Sequence, residues 1–483
     1  MTVRRLMFAL VPCAVLLSGC AVGPDYTAPQ ADIDAEFNQL RSDAGLTAGQ
    51  PSELARWWTT LDDPALDRLI NQTVARNLDL RAATSRLRQV RALRNVAGGQ
   101  RFPTLDASGG AQRSRASENV SGGGDLTTEL YSAGFDAGWE LDLFGGVARS
   151  VEAAEADVDA AAESRRDVLV SVLAEVALNY VEARSFQERL GIARDNLESQ
   201  SDTFKLIESR YAAGLVQDID LERARSNLER TRSSIPQLST ELERARNRLA
   251  MLLGEQPGAL DDVFARSEPV PSPRVQVAIG VPADLLRRRP DIRRAERVLA
   301  AETARVGVAT AELYPKLRLN GSVGLEALSG GSLFESASRT FGIGSIVSWP
   351  LFSGGQIRNR IEAQSEVQEQ AYIGWQAAVL GALEDVDNAI TAYANEQIRH
   401  AALQISAESA TRAATLARSR YDAGIADFIE VLDADRERLT AQDALAASNA
   451  EITTDLIRLY KALGGGWQSL AEDAGGVIEQ DRT

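Results

Sequence analysis

The stretch "YSAGFDAGWELDLF", Tyr131 to Phe144, alternates strictly. Tyr131, Ala133, Phe135, Ala137, Trp139, Leu141 and Leu143 are apolar, while Ser132, Gly134, Asp136, Gly138, Glu140 and Asp142 are polar or glycine. Period-2 alternation predicts a strand with two differently wetted faces. Around it the chain reads as long charged helices, so a few strands sit inside a mostly helical protein.

The stretch belongs to a unit written twice. "RYAAGLVQDIDLERARSNL" (Arg210 to Leu228) returns as "RYDAGIADFIEVLDADRERL" (Arg420 to Leu439), and "FPTLDASG" (Phe102 to Gly109) as "YPKLRLNG" (Tyr314 to Gly321). "DLFGG" (Asp142 to Gly146) returns as "LFSGG" (Leu351 to Gly355), and "LLG" (Leu252 to Gly254) as "ALG" (Ala462 to Gly464). The marks keep their order, which is the signature of one supersecondary unit duplicated.

Each unit has the same plan. Helical segments at about Ala65 to Gln100 and about Asp284 to Leu313 meet Pro103 and Pro315. Two alternating strands follow; in the second unit they are Leu317 to Glu326 and Phe341 to Trp349. Next comes a very long helical run: Arg149 to Tyr211 contains no proline and one glycine, Gly191. Straight, it would be roughly 95 Å long. A seven-residue beat, Val176, Ala183, Leu190, Leu197, Phe204 and Tyr211, predicts a coiled-coil seam. The second copy repeats it with smaller residues, Leu403, Ala407, Ala410, Ala414, Ala417 and Tyr421. Gly214 and Gly424 then mark left-handed helix ends before a further helix. The proline-rich link Gly254 to Pro282 reads as a connector.

Four strands of about ten residues match the length of tilted transmembrane β-strands. Trp139 and Trp349 lie near strand ends, where interfacial aromatics are expected. Four strands cannot close, and an open edge in lipid is forbidden. The chain is therefore expected to share one barrel with copies of itself.

The N-terminus supports a membrane address. Arg4 and Arg5 precede an apolar run, Leu6 to Leu17, too short to span a bilayer as a helix. "LSGC" (Leu17 to Cys20) resembles a bacterial lipobox, which implies cleavage before Cys20 and its lipidation. Ala21 stands where inner-membrane lipoproteins carry Asp, which points to the outer membrane. Cleavage removes Cys13, so no disulfide framework or cysteine metal cluster can form. The net charge of −16 argues against a nucleic-acid partner.

Catalytic chemistry finds no support. His400, the only histidine, falls at the seam position matching Leu190 and reads as a packed side chain. No phosphate loop or HExxH occurs, and three scattered methionines make no soft-metal cluster. Asp62 and Asp63 read as solvated helix-end charges.

Six stretches together resemble the TolC-like outer membrane factors, within them the lipoprotein branch of efflux channels (NodT/OprM-like). They are "LSGCAVGPDY" (Leu17 to Tyr26), "WWTTLDDPALDRLI" (Trp57 to Ile70), "LLRRRPDIRRAE" (Leu285 to Glu296), "YPKLRLNGSVG" (Tyr314 to Gly324), "WPLFSGG" (Trp349 to Gly355) and the pair of tip repeats. The resemblance implies a mostly α protein with a transmembrane β part: a homotrimeric twelve-strand barrel continuing into a twelve-helix periplasmic coiled-coil tunnel. It implies outer membrane lipid around the barrel, a periplasmic adaptor and an inner-membrane RND-type transporter as partners, and no cofactor beyond the lipid on Cys20. The expected function is the outer-membrane exit duct of a tripartite efflux system. The alternative is a type I secretion channel exporting a protein; a free coiled-coil envelope lipoprotein would leave the strands unexplained.

The expected divisions are a signal peptide (1–19), a lipidated extension (20–60), a first repeat (61–254), a connector (255–283), a second repeat (284–464) and a tail (465–483). The family's periplasmic gate maps, motif to motif, onto Tyr211 and Asp220 in the first repeat and onto Tyr421, Ile429, Glu430 and Asp433 in the second. Ala426 stands where the TolC pattern has a latching arginine.

Overall fold

A computed structural model describes residues 21–31, 33, 46–47, 54–117, 119, 127–272, 277–278 and 282–468. Cys20 and the expected leader lie outside the described residues. The chain divides into two compact units, one of residues 1–30, 86–162 and 294–375, the other of 31–85, 163–293 and 376–483.

The element order shows the duplication directly. The first repeat holds α1 (Pro64–Arg76), α2 (Leu78–Gly99), β1 (Thr104–Arg115), β2 (Thr127–Leu141), α3 (Gly146–Ala212) and α4 (Asp218–Leu252). The second holds α5 (Pro282–Arg288), α6 (Pro290–Ala311), β3 (Lys316–Ala327), β4 (Arg339–Ser348), α7 (Gln356–Asp422) and α8 (Phe428–Ala462). α3 and α7 have 67 residues each, and α4 and α8 have 35. Equal lengths in both copies mean that the same backbone was kept while the side chains diverged.

In the first unit the strands form one antiparallel sheet in the order β1-β2-β3-β4. The register lines Ala107, Phe135, Val323 and Phe341 into one row and Leu105, Ala137, Gly321 and Ile343 into the next same-face row. Asp106, Asp136, Ser322 and Gly342 form a row on the opposite face, where Ser108 Oγ donates to Asp136 at 3.0 Å. Glu140 and Arg318 also face each other there, 3.8 Å apart. The period-2 reading therefore sorts the sheet into an apolar and a polar face, with Leu130 and Ile346 as apolar exceptions on the polar side and with Arg113, Arg115, Glu129 and Arg339 as charged exceptions at the loop end of the apolar side. Gly134 and Gly324 oppose each other; a Cβ on Gly134 would lie 2.9 Å from the Val323 carbonyl oxygen, so this close approach needs glycine. Among the described residues, β1 and β4 are edges with no outer strand partner.

Both tryptophans tie a strand end to the helix before its hairpin. Trp139 Nε1 donates to the Arg101 carbonyl (3.1 Å) and Trp349 Nε1 to that of Leu313 (3.0 Å). The segment after Cys20 is strapped onto the same unit. Val22 N donates to the Phe144 carbonyl (3.1 Å), and the buried Arg149 guanidinium donates to the Val22 carbonyl (3.2 Å) and to Asp25 (2.6 Å). Tyr26 donates to Glu296 at 3.0 Å.

The second unit corrects three expectations. The helices expected at 65–100 and 284–313 are each broken in two, at Asn77 and at Arg289. Pro290 lacks an N–H and pushes the preceding residue out of the α region. Asn77 does the same work with a side chain: it is 2% exposed, its amide donates to the Leu252 carbonyl (2.8 Å), and its Oδ1 accepts from Leu80 N (2.9 Å). Asp63 is more than a solvated charge. It caps α1 by accepting from Ala65 N and Leu66 N, and it takes a 2.7 Å hydrogen bond from Tyr180.

The third correction concerns the seam. Val176, Ala183 and Leu190 are buried as expected, but Leu197 and Phe204 are half-buried and Tyr211 is exposed. Past Leu190 the buried line runs through Ala193, Gln200 and Ile207, the same beat shifted by four residues. A 3.6-residue helix drifts against a strict heptad, and a local shift restores the contact. In α7 Ala407, Ala410, Ala414 and Ala417 are all buried, as the small seam predicted. The connector packs over Arg184, which is 1% exposed and donates to the carbonyls of Val263 (3.3 Å) and Arg266 (3.0 Å) and to Glu268 (2.9 Å).

Candidate functional site

The residues expected to form a gate lie at two helix reversals, α3 to α4 and α7 to α8, both in the second unit. Each reversal is built alike. Gly214 has φ +70° and Gly424 φ +72°, the left-handed conformation that glycine adopts without a Cβ penalty. Leu215 N donates to the Arg210 carbonyl and Gly214 N to that of Tyr211; Ile425 and Gly424 repeat both bonds to Arg420 and Tyr421. These paired bonds are the Schellman motif, which satisfies the last carbonyls of the long helix. Asp218 and Asp220 then open α4, and Glu430 lies in the first turn of α8, where the helix dipole favours negative charge.

The two reversals share one apolar cluster. Ile207, Ala224, Ala417, Phe428, Val431 and Leu432 are buried together, with Tyr421 and Phe204 packed against them. The Tyr421 ring lies 5.5 Å from Phe428, and the Arg210 guanidinium sits 4.9 Å over its face. Its hydroxyl is buried without a hydrogen-bond partner among the described residues. Tyr421 is thus a packing residue that joins the two turns within one chain.

The other expected residues lie on the last turn of α3 and the first turns of α4 and α8. Tyr211 is exposed, and the nearby Asp218 carboxylate, as a hydrogen-bond acceptor first and through its charge second, raises the phenol above its ordinary range. Ile429 and Asp220 are half-buried, while Glu430 and Asp433 are exposed. Each exposed acid meets an arginine: Glu430 with Arg420 at 3.3 Å, and Asp433 with Arg436 at 3.4 Å. Asp220, Glu430 and Asp433 make no hydrogen bonds to one another among the described residues. A single chain thus presents the acids at its surface and does not assemble them into a cluster.

Sequence reasoning missed these partners. Arg436 follows Asp433 by three positions, a spacing that brings side chains together on a helix and could have been read. Arg420 joins Glu430 across a turn and carries no such periodic signal. Asp435 was also missed. It is 6% exposed, 3.2 Å from Arg438, and burial raises its carboxyl although Arg438 and Arg418 pull it down. Elsewhere His400 is half-buried with Nδ1 unpartnered, and among the described residues no three metal-binding side chains converge.

The comparisons with known proteins cover both repeats. The profile of the family described as outer membrane efflux protein matches residues 69–255 and 281–465. Nodulation protein T of Rhizobium leguminosarum bv. trifolii is 33% identical over 469 residues, covering 95% of this chain and 97% of that protein. The toluene efflux pump outer membrane protein TtgF of Pseudomonas putida is 30% identical over 468 residues, covering 95% of this chain and 97% of that protein. Among solved structures, the outer-membrane channel OprN superposes with a TM-score of 0.86 at 38% identity, covering 93% of this chain and 100% of that one.

Proposed function

This chain belongs to the outer membrane efflux protein family and acts as an outer-membrane efflux channel, and we propose that it does so as a homotrimer with a gated periplasmic tip. The observation that carries the trimer is the two-faced sheet whose edges, β1 and β4, lack outer partners among the described residues. In lipid those edges must be paired, and three copies of four strands close a barrel. α7 supports the same reading. Leu380, Ile398, Ile405 and Leu416 are 57% to 67% exposed in one chain, and their spacing places them on one line of the helix, an apolar stripe suited to a neighbouring copy.

The helices of three copies then form the periplasmic tunnel, which receives substrate from an adaptor and an inner-membrane RND-type transporter. An acyl anchor on Cys20 adds a second hold on the outer membrane. The toluene efflux pump name borne by a relative favours small molecules over a secreted protein as cargo. At the tip, threefold repetition of Asp220, Glu430 and Asp433 around a narrow lumen concentrates negative potential that the single chain only presents at its surface. Ile429 supplies the apolar constriction beside them, and with Ala426 in the latch position the arginines Arg420 and Arg436 restrain the acids.

Planar-bilayer recording tests the gate. A multivalent cation added on the periplasmic side is expected to block the pore, and Asp433→Ala to weaken both block and cation preference. Block and selectivity unchanged in Asp433→Ala would remove the acids from the gate. Loss of palmitate labelling in Cys20→Ser is the corresponding check on the anchor.

A further inference from the structure

We propose that the outer face of the sheet carries a binding site for a phosphorylated glycolipid of the outer leaflet, with Arg339 holding the phosphate and a groove below it holding an acyl chain. The inference rests on the channel reading, which turns this face toward lipid.

The strands have two unlike ends. One end runs into the helices α2, α3, α6 and α7, and the other is closed by the loops between β1 and β2 and between β3 and β4. With the helices in the periplasm, the loop end faces outward. Arg339 is the first residue of β4, opposite Leu325 and in the row of Gly109 and Ala133, on the same face as Phe135, Val323 and Phe341. It is exposed, and no ion pair holds it among the described residues. Arg113 and Arg115 lie farther toward the loops on the same face of β1. Arg113 pairs with Glu129 at 3.5 Å on that face, whereas Arg339 stands at the head of a groove.

The depth of Arg339 fits a headgroup. It stands ten residues before Trp349 in β4 and its extension. At about 3.4 Å per residue and a tilt of about 40°, that is about 26 Å along the membrane normal, close to the height of a barrel's apolar band of about 25 Å. Trp349 then marks the inner border and Arg339 the outer one. A charge there reaches the interface by extending its side chain, and a guanidinium matches phosphate oxygens with a two-pronged geometry.

Directly below Arg339 the face is hollow. Ala107 and Ala133 are small, while Phe135, Val323 and Phe341 stand up around them, leaving a groove of about 730 Å³ that ends at Arg339. An apolar trough with one cation at its interfacial end is complementary to a lipid whose chains sit beneath a phosphate. The outer leaflet of a Gram-negative outer membrane supplies this chemistry as lipid A, whose sugars carry phosphates above the acyl chains.

The test uses the full-length protein in detergent. Native mass spectrometry compares retention of bis-phosphorylated lipid A with that of enzymatically dephosphorylated lipid A. The unaltered protein is expected to retain the phosphorylated form about tenfold better, and Arg339→Gln to erase that preference. Val323→Trp, which fills the groove, is expected to lower retention of both forms. Arg318→Gln, on the polar face, is expected to change neither, and inorganic phosphate alone is expected not to compete. Equal retention of the two lipids by the unaltered protein overturns the site, as does an unchanged preference in Arg339→Gln. If Arg339→Gln fails to assemble, the two-lipid comparison on the unaltered protein decides. Flotation with phosphatidylcholine vesicles separates the two readings. Protein that does not insert overturns the channel itself, whereas insertion without phosphate preference overturns this site alone.

Discussion

Asp435 is a buried carboxyl near the tip. Burial raises its carboxyl, and the nearby Arg438 and Arg418 offset this only in part. The folded chain therefore binds this proton more readily than the unfolded chain does. The stabilising contribution is complete below the ordinary carboxylate range and is lost as pH rises through the raised value. Above the raised value the ionised group is a cost. Asp435→Asn is thus expected to melt above the unaltered protein at neutral pH, the gap closing as pH falls into the carboxylate range. Thermal unfolding at a series of pH values measures it; a gap that widens toward acid would contradict the argument. At this scale the sequence was half legible. The motif match located Tyr421, Glu430 and Asp433 at the tip, but Arg420 and Arg210 reach their partners only after the chain reverses, which no local spacing announces.

Among the elements, the strands were the most legible and the helix breaks the least. Alternation between two solvents leaves a period-2 mark, and the paired rows of Phe135, Val323 and Phe341 follow from it. The break at Asn77 leaves no such mark, because amphipathic helix continues on both sides and a polar side chain replaces the cue that Pro290 gives in the second copy. Reading the second repeat back onto the first would have found it. The seam shift past Leu190 was hidden for a similar reason: Ala193 and Gln200 are buried without looking apolar enough to be chosen over Leu197. Asn77→Ala removes both a cap for Leu80 N and the donor to the Leu252 carbonyl, and is expected to cost about 2 kcal/mol. Faster hydrogen exchange at the Leu80 amide is the local sign. Unchanged exchange there would mean that the break is held by packing alone.

For the whole molecule the duplication makes a prediction about copies that one chain does not contain. β1 corresponds to β3 and β2 to β4, since Thr104 pairs with Gly138 as Lys316 pairs with Ser348. The contact between repeats, β2 with β3, should then recur between chains as β4 with β1 of the next copy. Within the chain Phe135 faces Val323; the equivalent pair between chains is Ser345 with Ala111. Directly opposed Cβ atoms lie about 5 Å apart, within disulfide reach after small adjustment. Ala111→Cys with Ser345→Cys should yield a covalent trimer on a non-reducing gel. Ala111→Cys with Gly342→Cys, whose side chains point to opposite faces, should not. A monomer band in the first case would reject this register.

The strap after Cys20 leaves the chain no slack. A Cβ on Gly145 would lie 2.6 Å from Ala21 Cα, and one on Gly23 would lie 2.4 Å from Gly307 Cα, so both strap residues are wedged against backbone. Only one peptide unit, about 3.8 Å, separates the Cα of Cys20 from that of Ala21. If Cys20 is acylated as proposed, its chains enter the bilayer at a height set by the base of the barrel, a ruler in place of a leash. Inserting a flexible spacer before Ala21 would keep any such anchor and lose the measurement.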